Sequence, residues 1–253
     1  MSLNIDSWIT PDWPAPKSVS ALITTRAGGV SVGPFASMNP ADHVNDDAQA
    51  VSRNREILRA LLPHEPHWLK QVHSARVHRV SGDPTDVPEA DATVSAINHQ
   101  VCVVLTADCL PVLFCAEDGS EVGAAHAGWR GLAAGILEKT VQAMEHPGAQ
   151  LLAYLGPAIG PHAYEVGPEV RAEFIQAEAQ AAAAFQPVAG SDKYLADLYM
   201  LARQRLARVG VTRVYGGNYC TYSEPQRFFS YRREGETGRM ASLIWIDRPL
   251  KTV

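Results

Sequence analysis

Long hydrophobic runs are missing from this sequence, and no stretch approaches the roughly 18 apolar residues of a membrane-spanning helix. The first residues, Met-Ser-Leu-Asn-Ile-Asp-Ser-Trp, lack the basic and then apolar pattern of a secretory leader, so a cytoplasmic location is expected. Concentrated positive charge is missing too. With 22 Lys and Arg against 27 Asp and Glu, and no basic run longer than a pair such as Arg232-Arg233, no surface for nucleic acid or an anionic membrane is expected. The expected partner is a small molecule. Cysteine is sparse: four in 253 residues do not make the disulfide framework of a small secreted domain, and reduced thiols are expected. Compact metal motifs such as Cys-x-x-Cys, His-x-His and His-Glu-x-x-His do not occur. Any metal site must therefore be assembled from distant segments.

What is present suits a folded core, with 46% hydrophobic and 19% charged residues. The only low-complexity stretch, Glu178-Ala-Gln-Ala-Ala-Ala-Ala-Phe185, is helix-forming in composition and not a tether. Without a linker, residues 1–253 are expected to form one domain. No feature specifies association; a monomer or weak dimer is expected.

Alternation and β-branched residues predict strands over 19–25, 101–106, 111–116, 121–126, 151–155, 212–215 and 241–246. Helical spacing predicts helices over 48–62, stopped by Pro63, and over 131–144, 168–185 and 195–209, the last ended by Gly210. Strict β-α-β-α alternation is absent, which favours an α+β fold of mixed β-sheets flanked by helices. The segments 111–116 and 121–126, joined by Glu117-Asp-Gly-Ser120, read as an antiparallel hairpin.

Three residues of ligand type are expected each to sit where a short apolar strand gives way to a bend: His73 in Trp68-Leu-Lys-Gln-Val-His73, Cys109 in Thr106-Ala-Asp-Cys109-Leu-Pro, and His126 in Ala124-Ala-His126-Ala-Gly-Trp-Arg130-Gly131. Two imidazoles and a thiolate can hold zinc tetrahedrally with one position open, the ligand count of a catalytic site. The hairpin would bring Cys109 and His126 to one end of a sheet. His73 needs a non-local contact that spacing does not supply. Cys102, Cys115 and Cys220 read as small buried hydrophobes. The small residues around His126 leave room for another ligand or a substrate.

Gly128-Trp129-Arg130-Gly131 leads from a strand into a predicted helix, whose free N–H groups and guanidinium would suit phosphate; the same residues also serve as a plain turn with a solvated charge. Thr25-Arg26-Ala-Gly-Gly-Val-Ser31 and Gly156-Pro-Ala-Ile-Gly-Pro161, followed by Tyr164-Glu165, are further candidate site loops. Asp108, Asp91 and Glu165 are candidate acids or bases, with Asp108 placed beside Cys109 and His126 as catalytic, while Glu165 reads equally as a solvated carboxylate.

With these segments in view the chain resembles the laccase-domain family, also called the multicopper polyphenol oxidase or peptidoglycan-editing-factor family. The resemblance runs nearly end to end. It is carried by Thr25-Arg-Ala-Gly-Gly-Val-Ser, Trp68-Leu-Lys-Gln-Val-His, Thr106-Ala-Asp-Cys-Leu-Pro-Val-Leu, Ala125-His-Ala-Gly-Trp-Arg-Gly, Leu155-Gly-Pro-Ala-Ile-Gly-Pro, Phe228-Phe-Ser-Tyr-Arg-Arg and Thr237-Gly-Arg-Met-Ala-Ser. A departure is Asn39-Pro40, where the family usually has Asn-Leu. The resemblance implies a core similar to bacterial cysteine-histidine toxins and deamidases, with a metal site at His73, Cys109 and His126. Arg26, Asn39 and Gln71, in or beside these segments, join Arg130 as candidate substrate or phosphate contacts.

The family's names imply different activities. Blue-copper oxidases build a trinuclear cluster from His-x-His pairs, which this chain lacks, so zinc is the expected metal, with copper as the alternative. The resemblance also implies phosphorolysis of purine nucleosides, including methylthioadenosine, and deamination of adenosine. A zinc site can activate water for attack at C6 of adenine, although the His-x-Glu and Pro-Cys-x-x-Cys signature of zinc deaminases is missing. The competing expectations are a Cys109–His126 hydrolase without metal, editing of peptidoglycan precursors, and a metal-binding protein without turnover.

Overall fold

The computed structural model describes residues 7–83 and 86–248. Strand β1 (Val19–Ile23) precedes helix α1 (Ala48–Arg59) and the short strands β2 (Pro66–His67), β3 (Val77–Arg79) and β4 (Ala92–Ser95). The centre of the chain holds β5 (Val101–Thr106), β6 (Leu110–Ala116), β7 (Val122–Ala127), helices α2 (Trp129–Ala133) and α3 (Ile136–Ala143), and β8 (Leu151–Leu155). There follow β9 (Glu165–Val166), α4 (Pro168–Ala177), β10 (Phe185–Pro187), β11 (Tyr194–Ala196), α5 (Leu198–Arg208), β12 (Arg213–Gly216), α6 (Tyr231–Glu234) and β13 (Met240–Ile246).

The fold is α+β. A six-stranded sheet runs in the order β12-β8-β6-β7-β4-β3 and a four-stranded sheet in the order β1-β13-β5-β2, with a small third sheet β10-β11-β9. Parallel pairs (β12 with β8, β2 with β5, β3 with β4) sit among antiparallel ones, so both large sheets are mixed.

Alternation along β6 shows how the layers form. Leu110, Val112, Phe114 and Ala116 face a core shared with Leu132, Ile136 and Leu137 of α2 and α3 and with Leu201 and Leu206 of α5. Leu113 and Cys115 face the other way, against Cys102 and Val104 of β5 and Ile244 of β13. The far side of the four-stranded sheet, through Val103, Leu243 and Trp245, packs on Ile57 and Leu58 of α1. A central strand buried on both faces reads as a continuous apolar run, which is why β5, β6 and β8 were visible in sequence within a residue of their true bounds.

The helices depart further from expectation. The segment 131–144 is not one helix, because Gly135 adopts φ 87 and breaks it into α2 and α3. The segment 168–185 ends its α-helix at Ala177; Glu178 is extended, residues 179–184 form a 3-10 helix, and Phe185 pairs with Ala196. Tertiary pairing there overrides the helical propensity of the alanines. Leu195 lies in β11 and not in a helix, and α5 begins after Asp197, whose side chain accepts the Met200 N–H. In α1, Asp47 is the N-cap and the α-helical segment closes at Arg59, short of Leu62. Strands β2, β3, β4 and β9 to β11, of two to four residues, went unpredicted because they are too short to show a period.

Candidate metal centre

The β6–β7 hairpin sets Leu110 opposite Ala127 and Pro111 opposite His126. Cys109, one residue before β6, therefore meets His126 at the same end of the six-stranded sheet. His126 stands within β7 and not at a bend. His73 arrives from the loop between β2, which is bound to β5, and β3, which is bound to β4. The ligand atoms of His73, Cys109 and His126 lie within 4.8 Å of one another, and they form the only such group of three or more found among the described residues. Cys109 Sγ is 3.9 Å from His73 Nε2, and the two imidazole rings meet edge to face with centroids 4.7 Å apart.

One buried carboxylate organises two of the three ligands. Asp91 Oδ1 lies 2.8 Å from His126 Nδ1, while the backbone N–H of His126 donates to the Asp91 carbonyl at 2.7 Å. The same carboxylate accepts the N–H groups of His73 (2.9 Å) and Ser74 (2.6 Å) and the Ser74 hydroxyl (2.7 Å). It thereby holds a loop in which His73 adopts the left-handed φ of 59, a conformation that a non-glycine residue keeps only when its surroundings enforce it. With Nδ1 engaged, His126 turns Nε2 to the centre, the carboxylate–histidine arrangement that fixes a metal ligand.

Electrostatics follow from this geometry. Burial pushes the Cys109 thiol up, but the His126 charge and hydrogen bonds from His126 and His73 outweigh it and bring the thiol down to about 6. Burial pushes the His126 imidazole down, but the Cys109 thiolate and the Asp91 hydrogen bond raise it to about 9. Burial pushes the Asp91 carboxyl up, and hydrogen bonds from His126 and Ser74 reverse this to about 2. Cys102 and Cys115, where burial dominates, are pushed up to about 12, as inert core thiols should be. Asp91→Asn is expected to weaken the affinity of the centre for an added divalent metal ion about 10- to 100-fold with the stoichiometry retained at saturation, read by chelator competition. Unchanged affinity would refute the orienting role.

The three ligands open into a cavity of about 370 Å3, whose other lining residues include His43, Gln71, Leu105, Tyr231 and Arg239. Gly128 keeps its floor clear: a Cβ there would lie 2.9 Å from Cys109 Sγ and 3.0 Å from His73 Cδ2. A larger hollow of about 580 Å3, lined by Tyr199, Arg203 and Cys220 among others, shares no lining residue with this cavity and holds none of the three ligands.

The remaining candidates divide. Gln71 lines the cavity, its amide group paired with both the N–H and the carbonyl of Leu105. Asn39 is buried behind the cavity and accepts the Arg239 N–H at 3.0 Å. Asp108, at φ 84, accepts the Thr221 hydroxyl (2.6 Å) and the Arg232 N–H (2.7 Å) and ties the Cys109 bend to α6. Arg26 is taken up by Glu234 and two backbone carbonyls, and it does not line the cavity. Arg130 is exposed over the Trp129 ring, in a helix of only five residues, and it too lies outside the cavity lining. Glu165 pairs with Lys193 at 2.7 Å. Toward the C-terminus, Ser230 is the N-cap of α6 and Arg232 donates to the Glu165 carbonyl. The sequence assigned no role to His43, Tyr231 or Arg239, although Arg239 falls within the Thr237-Gly-Arg-Met segment.

Against known proteins, residues 20–247 match the family described as multi-copper polyphenol oxidoreductase laccase. A Pseudomonas aeruginosa protein named purine nucleoside phosphorylase is 54% identical over 243 residues, covering 96% of this chain and 100% of the relative. An Escherichia coli protein named purine nucleoside phosphorylase YfiH is 54% identical over 240 residues, covering 94% of this chain and 98% of the relative. A crystal structure of a Neisseria meningitidis protein superposes with a TM-score of 0.94 at 52% identity, covering 96% of this chain and 100% of that one. That of Bacillus licheniformis YfiH gives 0.85 at 33% identity, covering 90% of this chain and 92% of that one. Sequence and backbone agree along nearly the whole length, and the chain belongs to the multi-copper polyphenol oxidoreductase laccase family.

Proposed function

We propose that this chain is a zinc-dependent purine nucleoside phosphorylase, acting on adenosine, inosine, guanosine and methylthioadenosine, that also deaminates adenosine to inosine. The observation that carries the reading is the convergence of His73, Cys109 and His126 on a cavity of about 370 Å3, within the range that holds a small organic ligand. The names of the P. aeruginosa and E. coli relatives supply the reaction class.

The donor set fits a metal ion. The Cys109 sulfur is held as thiolate, His126 Nε2 is aimed by Asp91, and the space that a Cβ of residue 128 would occupy is left open. Zinc at these residues supplies a Lewis acid and a means of activating water near neutral pH. The chain's own residues then shape the reaction: Leu105, Thr106 and Ala107 wall the cavity, Gln71 stiffens that wall through Leu105, and Arg239 offers positive charge. A thiolate with two imidazoles also accepts copper. A multinuclear copper cluster needs further ligands, and a single three-ligand group is found among the described residues. No helix among these residues is long and apolar enough to cross a membrane, and the four cysteines are free, which supports a cytoplasmic setting.

The test is turnover by zinc-loaded protein: phosphate-dependent release of hypoxanthine from inosine, and formation of inosine from adenosine. Both are expected in wild type and neither in His126→Ala. Full activity in that variant, or none in wild type, would overturn the proposal.

A second reading is supported by the Cys109–His126–Asp91 line, a thiolate beside an imidazolium backed by a carboxylate, which suits a cysteine nucleophile. In metal-free protein, iodoacetamide labelling of Cys109 is expected to rise as pH passes about 6, well below an ordinary thiol. Protection by zinc, with activity lost to chelators, supports the metal reading; persistent labelling and chelator-resistant activity support the nucleophile.

A further inference from the structure

The cavity above the three ligands continues into a neighbouring hollow of about 340 Å3, and the two share His43, Tyr231 and Arg239 as a common wall. Among the described residues, Arg239 carries the only guanidinium or ammonium in the lining of the first cavity, and no carboxylate lines it. The arginine is firmly set. Its backbone N–H donates to the buried Asn39 side chain at 3.0 Å, and its Nη1 donates to the carbonyls of Thr237 (2.8 Å) and Gly238 (3.0 Å). Nε and Nη2 donate to no protein acceptor among the described residues. A planar fork with one edge anchored and another free is suited to an oxyanion. Burial disfavours the charge on this guanidinium, so an anion placed against it relieves a cost already present. Arg130 has none of these features, being exposed and stacked on Trp129 outside the lining.

We propose that Arg239, with His43 beside it, forms an oxyanion subsite that receives inorganic phosphate as co-substrate. The proposal rests on the phosphorylase reading above. One phosphate oxygen forms the new bond to ribose C1′ as the C1′–N9 bond breaks. The electron pair leaves with the purine, which takes up the proton that hydrogen phosphate brings, and the products are ribose 1-phosphate and free base. The phosphoryl group of a nucleotide offers the same chemistry to the subsite, so the experiment must separate the two sources.

Zinc-loaded full-length Arg239→Gln, Arg239→Lys and Arg130→Gln are compared with wild type in inosine phosphorolysis and in calorimetric titration with inorganic phosphate and, separately, with adenosine 5′-monophosphate. Zinc content equal to wild type certifies the fold of each variant. Arg239→Gln is expected to raise the KM for phosphate at least about 10-fold, the effect of losing a charged hydrogen-bond donor, while the KM for inosine moves far less. Arg239→Lys should fall between, keeping charge without the fork, and Arg130→Gln should match wild type. Unchanged phosphate KM and affinity in Arg239→Gln, or a rise confined to Arg130→Gln, would overturn the proposal. So would Arg239-dependent binding of the nucleotide with none of inorganic phosphate. Arg239-dependent phosphate binding in a protein that phosphorolyses no nucleoside would support the subsite and overturn the activity instead.

Discussion

Under the proposed zinc-dependent function, Cys109→Ala is expected to yield a folded protein that neither retains zinc nor turns over inosine or adenosine. The thiolate is the only anionic donor of the three, and its removal leaves two imidazoles 4.7 Å apart between ring centroids, one of them on a loop. Loss of a partner behind a ligand costs about 10- to 100-fold in affinity or activity, so loss of the ligand itself should exceed that range. Stability should change little in metal-free protein, because Cys109 is only partly buried and lies at a bend before β6. Cys109→Ser should behave like the alanine variant, since its hydroxyl stays protonated where the Cys109 thiol ionises near 6. Metal analysis with both turnover assays reads the result. Wild-type zinc content and activity in either variant would remove the metal centre from the mechanism.

Gly128→Ala tests the same centre without touching a ligand. Gly128 has φ -62 and ψ 159, which alanine adopts without strain, so any effect must come from the methyl group. That methyl would meet Cys109 Sγ at 2.9 Å, His73 Cδ2 at 3.0 Å and His126 Nε2 at 3.5 Å. The ligands must part, or the methyl must fill their shared space. Overpacking of this kind costs about 1–3 kcal/mol, and because it falls on the centre, activity should drop roughly 10- to 100-fold with a matching loss of zinc affinity. Thermal unfolding of the metal-free variant separates a global effect from a local one. Undiminished zinc affinity would show that the ligands meet elsewhere than this geometry requires.

Much of the fold was legible because the central strands are buried on both faces. Val101 to Thr106 and Leu151 to Leu155 match their predicted bounds, and the hairpin from Leu110 to Ala127 follows from two apolar runs and the turn Glu117-Asp-Gly-Ser120 between them. Helix bounds were less legible. The break at Gly135 depends on a backbone turn that periodicity averages over, and the loss of helix after Ala177 depends on Phe185 pairing with Ala196. At the site, the hairpin accounts for Cys109 meeting His126, whereas the glycine-containing loops that carry Arg130 and Arg26 hold no local record of direction, and both side chains lie outside the cavity lining.

The sequence by itself determined the residue types of the centre, the hairpin that joins two of them, and the mixed sheets that bury the core. These are local matters, governed by hydrogen-bond register and by the period of apolar side chains. The resemblance named His73 as the third member, but only the tertiary structure decided how it reaches the other two, that Asp91 holds both His126 and the His73 loop, and that His43, Gln71 and Arg239 wall the cavity. Residues 43, 71, 91 and 239 are joined by no turn or period. Their meeting results from two packed sheets and the loops at their ends, a sum of many contacts that no short stretch of sequence encodes.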